Sequence, residues 1–313
     1  MPGFESQTVL RKNRLVRTAA VILLAALATA TKVSPSPVEV IVLGVAQDGG
    51  VPHLGCSQEL CRRARRDPAQ RRSVASLGLI DSSAGKRFLI DATPDFGIQV
   101  DRLGGIPDAI LLTHAHIGHY LGLAQLGREV LNARRLPVYC TPSMGRFLRE
   151  NRPWSRLVAL DNIEVREIEP GVEFELTGRL HATALRVPHR DEDSDTVAFV
   201  IRGPSRKLLW LPDIDKWEKW DQRIEDVIQT VDIAFLDGTF YSADEIPGRS
   251  IADIPHPLVP ETVARLSFAS RPAGHICFIH LNHTNRLYWD TAAVAGLARR
   301  GFCVARQGER RPL

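Results

Sequence analysis

Short apolar runs set the rhythm of this chain from residue 38 onward. Val38-Glu39-Val40-Ile41-Val42-Leu43 reads as a first strand that stops at Gly44. Further runs follow at 74–80, 87–90, 109–112, 136–139, 163–168, 182–187, 196–201, 207–211, 231–236, 276–279 and 302–305. Each is short and bounded by turn formers, which is how strands present themselves. Apolar positions recurring every three to four residues predict helices over 119–133, 217–227, 260–269 and 287–299. The strands come in two batches, each with helices among them. That order suits two sheets packed face to face with helices outside, an α+β fold of αββα four-layer sandwich type. No short-period repeat breaks the pattern, so residues 38–313 read as a single domain.

The N-terminus follows a different logic. Arg11, Lys12, Arg14 and Arg17 form a positive region, Ala19 to Leu27 is apolar, and Ala28-Thr29-Ala30 offers a small-x-small cleavage site. This is the three-part build of a secretory signal peptide. The apolar stretch is shorter than the ~20 residues a membrane span needs. We therefore expect a signal peptide over 1–30, a linker over 31–37, export to the periplasm or the medium, and no stable membrane insertion after the signal is removed.

Composition narrows the partners. Hydrophobic residues make up 44% and charged residues 24%, as in a globular domain able to bury a core. The net charge of +4 falls to +1 without residues 1–30, so the domain lacks the concentrated basic face of a nucleic-acid binder. The one basic run, Arg62-Arg63-Ala64-Arg65-Arg66, reads as a solvated helix surface. A small-molecule substrate is the expected partner. Of the five cysteines, Cys140, Cys277 and Cys303 lie in apolar runs and read as small buried hydrophobes. Cys56 and Cys61 lie in a polar Gly/Pro-rich loop instead.

Chemistry concentrates in Leu111-Leu112-Thr113-His114-Ala115-His116-Ile117-Gly118-His119. A strand ends at Thr113 and a helix starts near His119, so three imidazoles sit on the connecting turn. Imidazole is a common ligand for Zn²⁺ and also suits Fe and Mn. Three within six positions are hard to explain as structural histidines. His189, Asp213 and His280 each follow a strand in turn, in Val187-Pro188-His189, Leu211-Pro212-Asp213 and Phe278-Ile279-His280.

Thr-His-x-His-x-x-His after an apolar strand, with these later pieces in the same order, resembles the metallo-β-lactamase superfamily over roughly residues 38–305. The resemblance implies His114, His116 and His189 at one metal and His119, Asp213 and His280 at another, with Asp213 bridging. It implies one or two Zn²⁺, with Fe or Mn as alternatives. It further implies a hydrolase in which metal-bound hydroxide attacks a phosphodiester or a small ester or lactone, Asp213 orienting the nucleophile. One departure matters: the family motif His-x-His-x-Asp-His has Gly118 at its acidic position here. Three readings follow: a weak second metal, a single metal, or another carboxylate, for which Asp215 and Asp237 are candidates. His256 is a further loop histidine, either an acid/base in the pocket or a surface residue.

Within the superfamily, Phe278-Ile279-His280-Leu281-Asn282-His283-Thr284-Asn285, Leu236-Asp237-Gly238-Thr239-Phe240 and the Gly49-Gly50-x-Pro52 loop are similar to coenzyme PQQ synthesis protein B. That branch implies one alternative, an iron oxidoreductase acting on a quinone precursor; a non-catalytic protein binding a small ligand, with the metal only as an anchor, is a further one. The His-x-x-His ending is also similar to a phosphonate-pathway cyclic phosphodiesterase. It implies a structural Zn²⁺ held by Cys56, Cys61 and His283, with His53 as fourth ligand. A Cys56–Cys61 disulfide is the competing reading.

Overall fold

The computed structural model describes residues 36–313 apart from 247, 249, 251–253 and 268–274; the expected signal peptide and the linker up to residue 35 lie outside the described residues. The first sheet is built from β1 (Val38–Gly44), β2 (Ser76–Asp81), β3 (Lys86–Ile90), β4 (Ala109–Leu111), β5 (Leu136–Cys140) and β6 (Ile163–Glu167). The second holds β7 (Glu173–Thr177), β8 (Leu180–Val187), β9 (Thr196–Arg202), β10 (Lys207–Leu211), β11 (Ile233–Asp237), β12 (Ile276–Ile279) and β13 (Phe302–Val304). A last strand, β14 (Arg310–Pro312), returns to pair with β1, and the sheet orders are β14-β1-β2-β3-β4-β5-β6 and β13-β12-β11-β10-β9-β8-β7. In the first sheet β3 to β6 run parallel, and in the second β10 to β13 do.

Both faces of each sheet are covered, which explains why the strands read as near-continuous apolar runs. Val40, Val42, Leu77, Leu79 and Ile90 of one sheet meet Phe199, Trp210, Phe235 and Ile279 of the other in the central core. The alternate residues Ile41, Leu43, Leu89 and Ile110 pack outward under α2 (Phe96–Leu103), α4 (Pro142–Glu150) and α5 (Trp154–Ala159). On the other outer face, Leu209, Leu211, Leu236 and Phe278 lie under α6 (Ile224–Gln229), α7 (Val259–Leu266) and α8 (Thr291–Arg299). The two remaining helices, α1 (Glu59–Arg66) and α3 (Ile117–Tyr120), belong to the loops after β1 and β4. Each buried Leu- or Phe-sized side chain contributes ~1.5–3 kcal/mol, so these layers form a rigid base for the strand ends. Among the described residues, no helix is long and apolar enough to cross a membrane.

Several elements differ from the sequence expectation. The helix expected over 119–133 stops at Tyr120 and continues as a 3₁₀ turn over Leu121–Leu126. The cause is close docking: Gly122 donates its N–H to the carbonyl of Ala92 at 2.8 Å, which pulls the chain off the α-helical path. The segment 217–227 likewise splits into a 3₁₀ turn at Trp217–Lys219 and α6. The helix expected from residue 287 starts at Thr291, where the Asp290 side chain accepts from Ala293 N at 2.9 Å and caps it. β7 and β14 escaped the reading because both are edge strands with polar sequences, Glu-Phe-Glu-Leu-Thr and Arg-Arg-Pro.

The cysteines need one correction. Cys277 and Cys303 are not independent buried hydrophobes but a disulfide. They are register partners on the adjacent parallel strands β12 and β13, with Cα atoms 4.3 Å apart, and pairing register is not written in either run alone. Cys140 is a free buried thiol, as expected, and burial pushes its pKa up to about 12.

Candidate metal centre

Parallel strands β3, β4, β10, β11 and β12 all end on the same side of the sandwich, and the chemistry-bearing residues follow those ends. β4 delivers Thr113, His114 and His116, and α3 then presents His119. β8 leads to His189, β10 to Asp213, β11 to Asp237 and β12 to His280. Loops on a rigid scaffold are where such residues belong.

The structure brings together all six expected ligands. His114 Nε2 lies 2.9 Å from His116 Nδ1, and the donor atoms of His114, His116 and His189 fall within 4.8 Å of one another. Asp213 sits between the two halves of the site. Its Oδ2 is 2.9 Å from His119 Nε2 and 3.9 Å from His114 Nε2, while its Oδ1 is 3.3 Å from His280 Nδ1 and 3.9 Å from His189 Nε2.

The carboxylate beside His119 and His280 is not one that the sequence reading proposed. Asp215 turns away to Lys219 Nζ at 2.6 Å. Asp237 is spent on His256 Nδ1 at 2.7 Å, Ile214 N at 3.1 Å and Thr239 N at 2.9 Å. Instead Asp48, from the loop after β1, places Oδ1 at 3.4 Å from His119 Nε2 and 3.5 Å from His280 Nε2.

Three anchors escaped the sequence reading. Asp91, at the end of β3, is fully buried and accepts from Thr113 N at 2.9 Å while pairing with His119 Nδ1 at 2.9 Å. Thr239 Oγ1 lies 2.9 Å from His280 Nδ1, and Glu192 Oε2 lies 2.9 Å from His116 Nε2. Asp91 and His280 both adopt left-handed φ, 67° and 61°, a strained setting for a non-glycine residue that clusters at functional sites. A strand closing on an Asp was the only available signal for Asp91. His256 lies in the site, not on the surface: it is buried, with its ring 5.3 Å from His189 and 6.3 Å from His280.

Charge within the cluster is finely divided. Burial and the neighbouring imidazoles hold His114 well below the ordinary histidine range, and burial takes His189 down to about 4. Burial disfavours a charged His119, but Asp91, Asp213 and Asp48 outweigh it and raise its pKa well above the usual value. Burial would raise Asp213, yet His280, His119 and His189 hold it ionised.

The donor set fits a divalent cation. Asp48 Oδ1 and His280 Nε2 are buried without a hydrogen-bond partner, and His119 Nε2 and Asp213 Oδ2 face each other at 2.9 Å outside hydrogen-bond geometry. Buried polar atoms are nearly always paired, so four orphans facing one another call for a shared positive centre. Imidazole nitrogens with carboxylate oxygens are the ligand chemistry of Zn²⁺, Fe and Mn sites.

The expected structural zinc set is gathered only loosely. The Cys56 and Cys61 sulfurs are free, not bonded to each other. His53 donates its backbone N–H to Cys61 Sγ at 3.4 Å, and burial and the nearby Cys56 thiol raise the Cys61 pKa. The rings of His53 and His283 stack with centroids 4.1 Å apart. The four residues are therefore neighbours. Their donor atoms do not converge, however: among the described residues every group meeting a 4.8 Å span belongs to the His/Asp centre. The basic run beside them lies on α1, where Arg62 pairs with Glu59 at 2.8 Å and Arg65 ties down the His53 carbonyl at 2.8 Å.

The family model described as "Beta-lactamase superfamily domain" matches residues 86–281. The chain is 26% identical over 300 residues to coenzyme PQQ synthesis protein B of Methylorubrum populi, covering 86% of this chain and 98% of that protein. Among solved structures it is similar to Zn(2+)-bound PqqB from Methylobacterium extorquens, with TM-score 0.74 and 22% identity over 88% of this chain and 100% of that one. It is also similar to a diphosphatase from the PhnP family, with TM-score 0.66 and 24% identity over 88% of this chain and 96% of that one.

Proposed function

Because the chain belongs to the β-lactamase superfamily, in the branch resembling coenzyme PQQ synthesis protein B, we propose that it is a metal-dependent hydrolase cleaving a phosphodiester or a similar small ester or lactone. The observation that carries this reading is the convergence of five imidazoles on Asp213, with orphaned donor atoms and a hydrogen-bonded His256–Asp237 pair at their edge. His114, His116 and His189 would hold one cation and His119 and His280 a second, Asp213 serving both. Such a cation supplies Lewis acidity and, if Zn²⁺, lowers the pKa of its water to ~7.

The chain's own residues do the rest. Asp213 is held ionised and is placed to orient the attacking water. Burial works against a charged His256, but the Asp237 carboxylate prevails and raises its pKa. With Nδ1 committed to Asp237, His256 keeps Nε2 for donating a proton to the leaving oxygen. A diphosphatase among the structural neighbours is in keeping with a phosphoryl substrate on this fold.

His256→Ala tests the reading. Turnover of a phosphodiester with an alkyl leaving group should fall 10²–10⁴-fold, the usual size of a general-acid contribution, while a p-nitrophenyl ester, whose leaving group needs no proton, should lose far less. Equal losses on both substrates would remove His256 from that role.

A second reading, action on a quinone precursor, is favoured by the likeness to coenzyme PQQ synthesis protein B along nearly its whole length. Iron as the sole active metal, with oxygen uptake and no hydrolysis, would select it. We also infer export. The N-terminal pattern supports it, and so does the Cys277–Cys303 disulfide, a bond at home in oxidising compartments. Fractionation of cells expressing the full chain tests this: a full-length product confined to the cytoplasm would refute it.

A further inference from the structure

We propose that Asp48 supplies to the second cation the carboxylate that the superfamily motif places at position 118, so that Gly118 is glycine to make room for it. The proposal deepens the metal centre described above and does not depend on which bond the protein cleaves.

The first ground is mutual exclusion in space. A Cβ built on Gly118 would lie 2.0 Å from Asp48 Oδ1, 2.7 Å from its Cγ and 2.9 Å from its Cα. No side chain fits there while Asp48 keeps its place, because one of the blocking atoms is backbone. Gly118 is not among the residues with positive φ, so the backbone conformation does not demand glycine. Space does.

The second ground is donor geometry. Asp48 Oδ1, His119 Nε2 and His280 Nε2 are all buried without hydrogen-bond partners, and their donor atoms lie within 4.8 Å of one another. The separations of 3.4 and 3.5 Å from Asp48 are long for hydrogen bonds. They match the ~3.4 Å between two ligands bound tetrahedrally at ~2.1 Å from Zn²⁺. The other nitrogens of both rings are already fixed, His119 Nδ1 by Asp91 and His280 Nδ1 by Thr239, so Nε2 is the nitrogen each ring offers.

The third ground is how the loop is held. Gln47 donates its N–H to the carbonyl of Leu281 at 3.0 Å, and Ala46 bridges to both Val74 and Leu281. Asp48 is thus stitched to the segment that carries His280. A carboxylate 70 positions upstream of Gly118 is thereby placed as firmly as one on the motif itself.

The test is metal binding to purified, stripped full-length protein, read by elemental analysis and by the visible spectrum of Co²⁺ added stepwise. Wild type should take up two equivalents with distinct spectra. Asp48→Asn and Asp48→Ala should keep the first equivalent and bind the second at least 10-fold more weakly. Gly118→Asp alone should not bind it better than wild type. Two equivalents at wild-type affinity in Asp48→Ala, or a Gly118→Asp protein that binds the second equivalent more tightly than wild type, would overturn the assignment. A wild-type chain binding no divalent metal would overturn the metal centre itself, a different and distinguishable failure.

Discussion

Replacing Asp91 by Asn should weaken metal binding at His119 without unfolding the protein. The wild-type carboxylate accepts from Thr113 N through Oδ1 and pairs with His119 Nδ1 through Oδ2, both at 2.9 Å. A carboxylate can only accept, so when His119 gives up its second proton to bind metal it keeps the one on Nδ1 and turns an Nε2 lone pair into the site. In Asn the orientation is forced: the backbone N–H of Thr113 needs the amide oxygen, which leaves the NH₂ facing His119. The imidazole must then accept at Nδ1 and place its proton on Nε2, the atom meant for the metal. Loss of such a supporting contact typically costs 10–100-fold in metal affinity, or about 1.4–2.7 kcal/mol. Asn is also tolerated at the φ of 67° found here, so the fold should survive. Asp91→Ala is a harsher change. It removes the acceptor of three buried donors, Thr113 N, Thr113 Oγ1 and His119 Nδ1, at ~1–3 kcal/mol for each left unpaired, and adds ~1–2 kcal/mol for an alanine in left-handed backbone, so it should unfold or melt well below Asp91→Asn. The assay is competition titration against a chromophoric chelator, alongside thermal melts. Unchanged affinity in a folded Asp91→Asn protein would refute the tautomer argument.

Three further outcomes follow from the same structure. His116→Ala should abolish hydrolysis and leave the melting temperature of metal-free protein nearly unchanged, because this ring is partly exposed and packs on other ligands, not on the core; a collapsed fold would contradict that. Metal affinity should rise with pH, since His119 has a raised pKa in the metal-free protein and must lose its proton to bind; titration calorimetry in buffers of different ionisation enthalpy should record proton release, and a pH-independent affinity between pH 6 and 8 would contradict it. Thiol titration without reductant should find Cys56 fastest in the native protein and three thiols after denaturation, Cys277 and Cys303 being bonded. Five thiols would refute the disulfide, and protection of Cys56 that a chelator reverses would restore the structural zinc.

The layered fold was legible because most strands are buried on both faces and so read as apolar runs with turns between them. The ligand histidines were legible for a related reason: each follows a strand, and parallel strands in one sheet end on one side. What the sequence concealed depends on distances between segments far apart in the chain. Asp48 looked like a turn residue before Gly49-Gly50, and only the pairing of Ala46 with Leu281 carries it to His280. Asp215 and Asp237 were plausible because they follow strands, but one is neutralised by Lys219 and the other orients His256. The Cys277–Cys303 bond was hidden in strand register, and the short helix at His119 in the close docking of Gly122.

The central claim is that this centre hydrolyses esters with a divalent cation. Metal-stripped protein should be assayed on bis(p-nitrophenyl) phosphate, simple carboxylic esters and lactones while Zn²⁺, Mn²⁺ or Fe²⁺ is returned in measured equivalents. The account predicts no turnover without metal, and activity on at least one of these substrate classes that rises with occupancy of the His/Asp centre and disappears in Asp213→Ala. Full activity in the stripped protein, or a fully loaded protein inert towards every class, would contradict it.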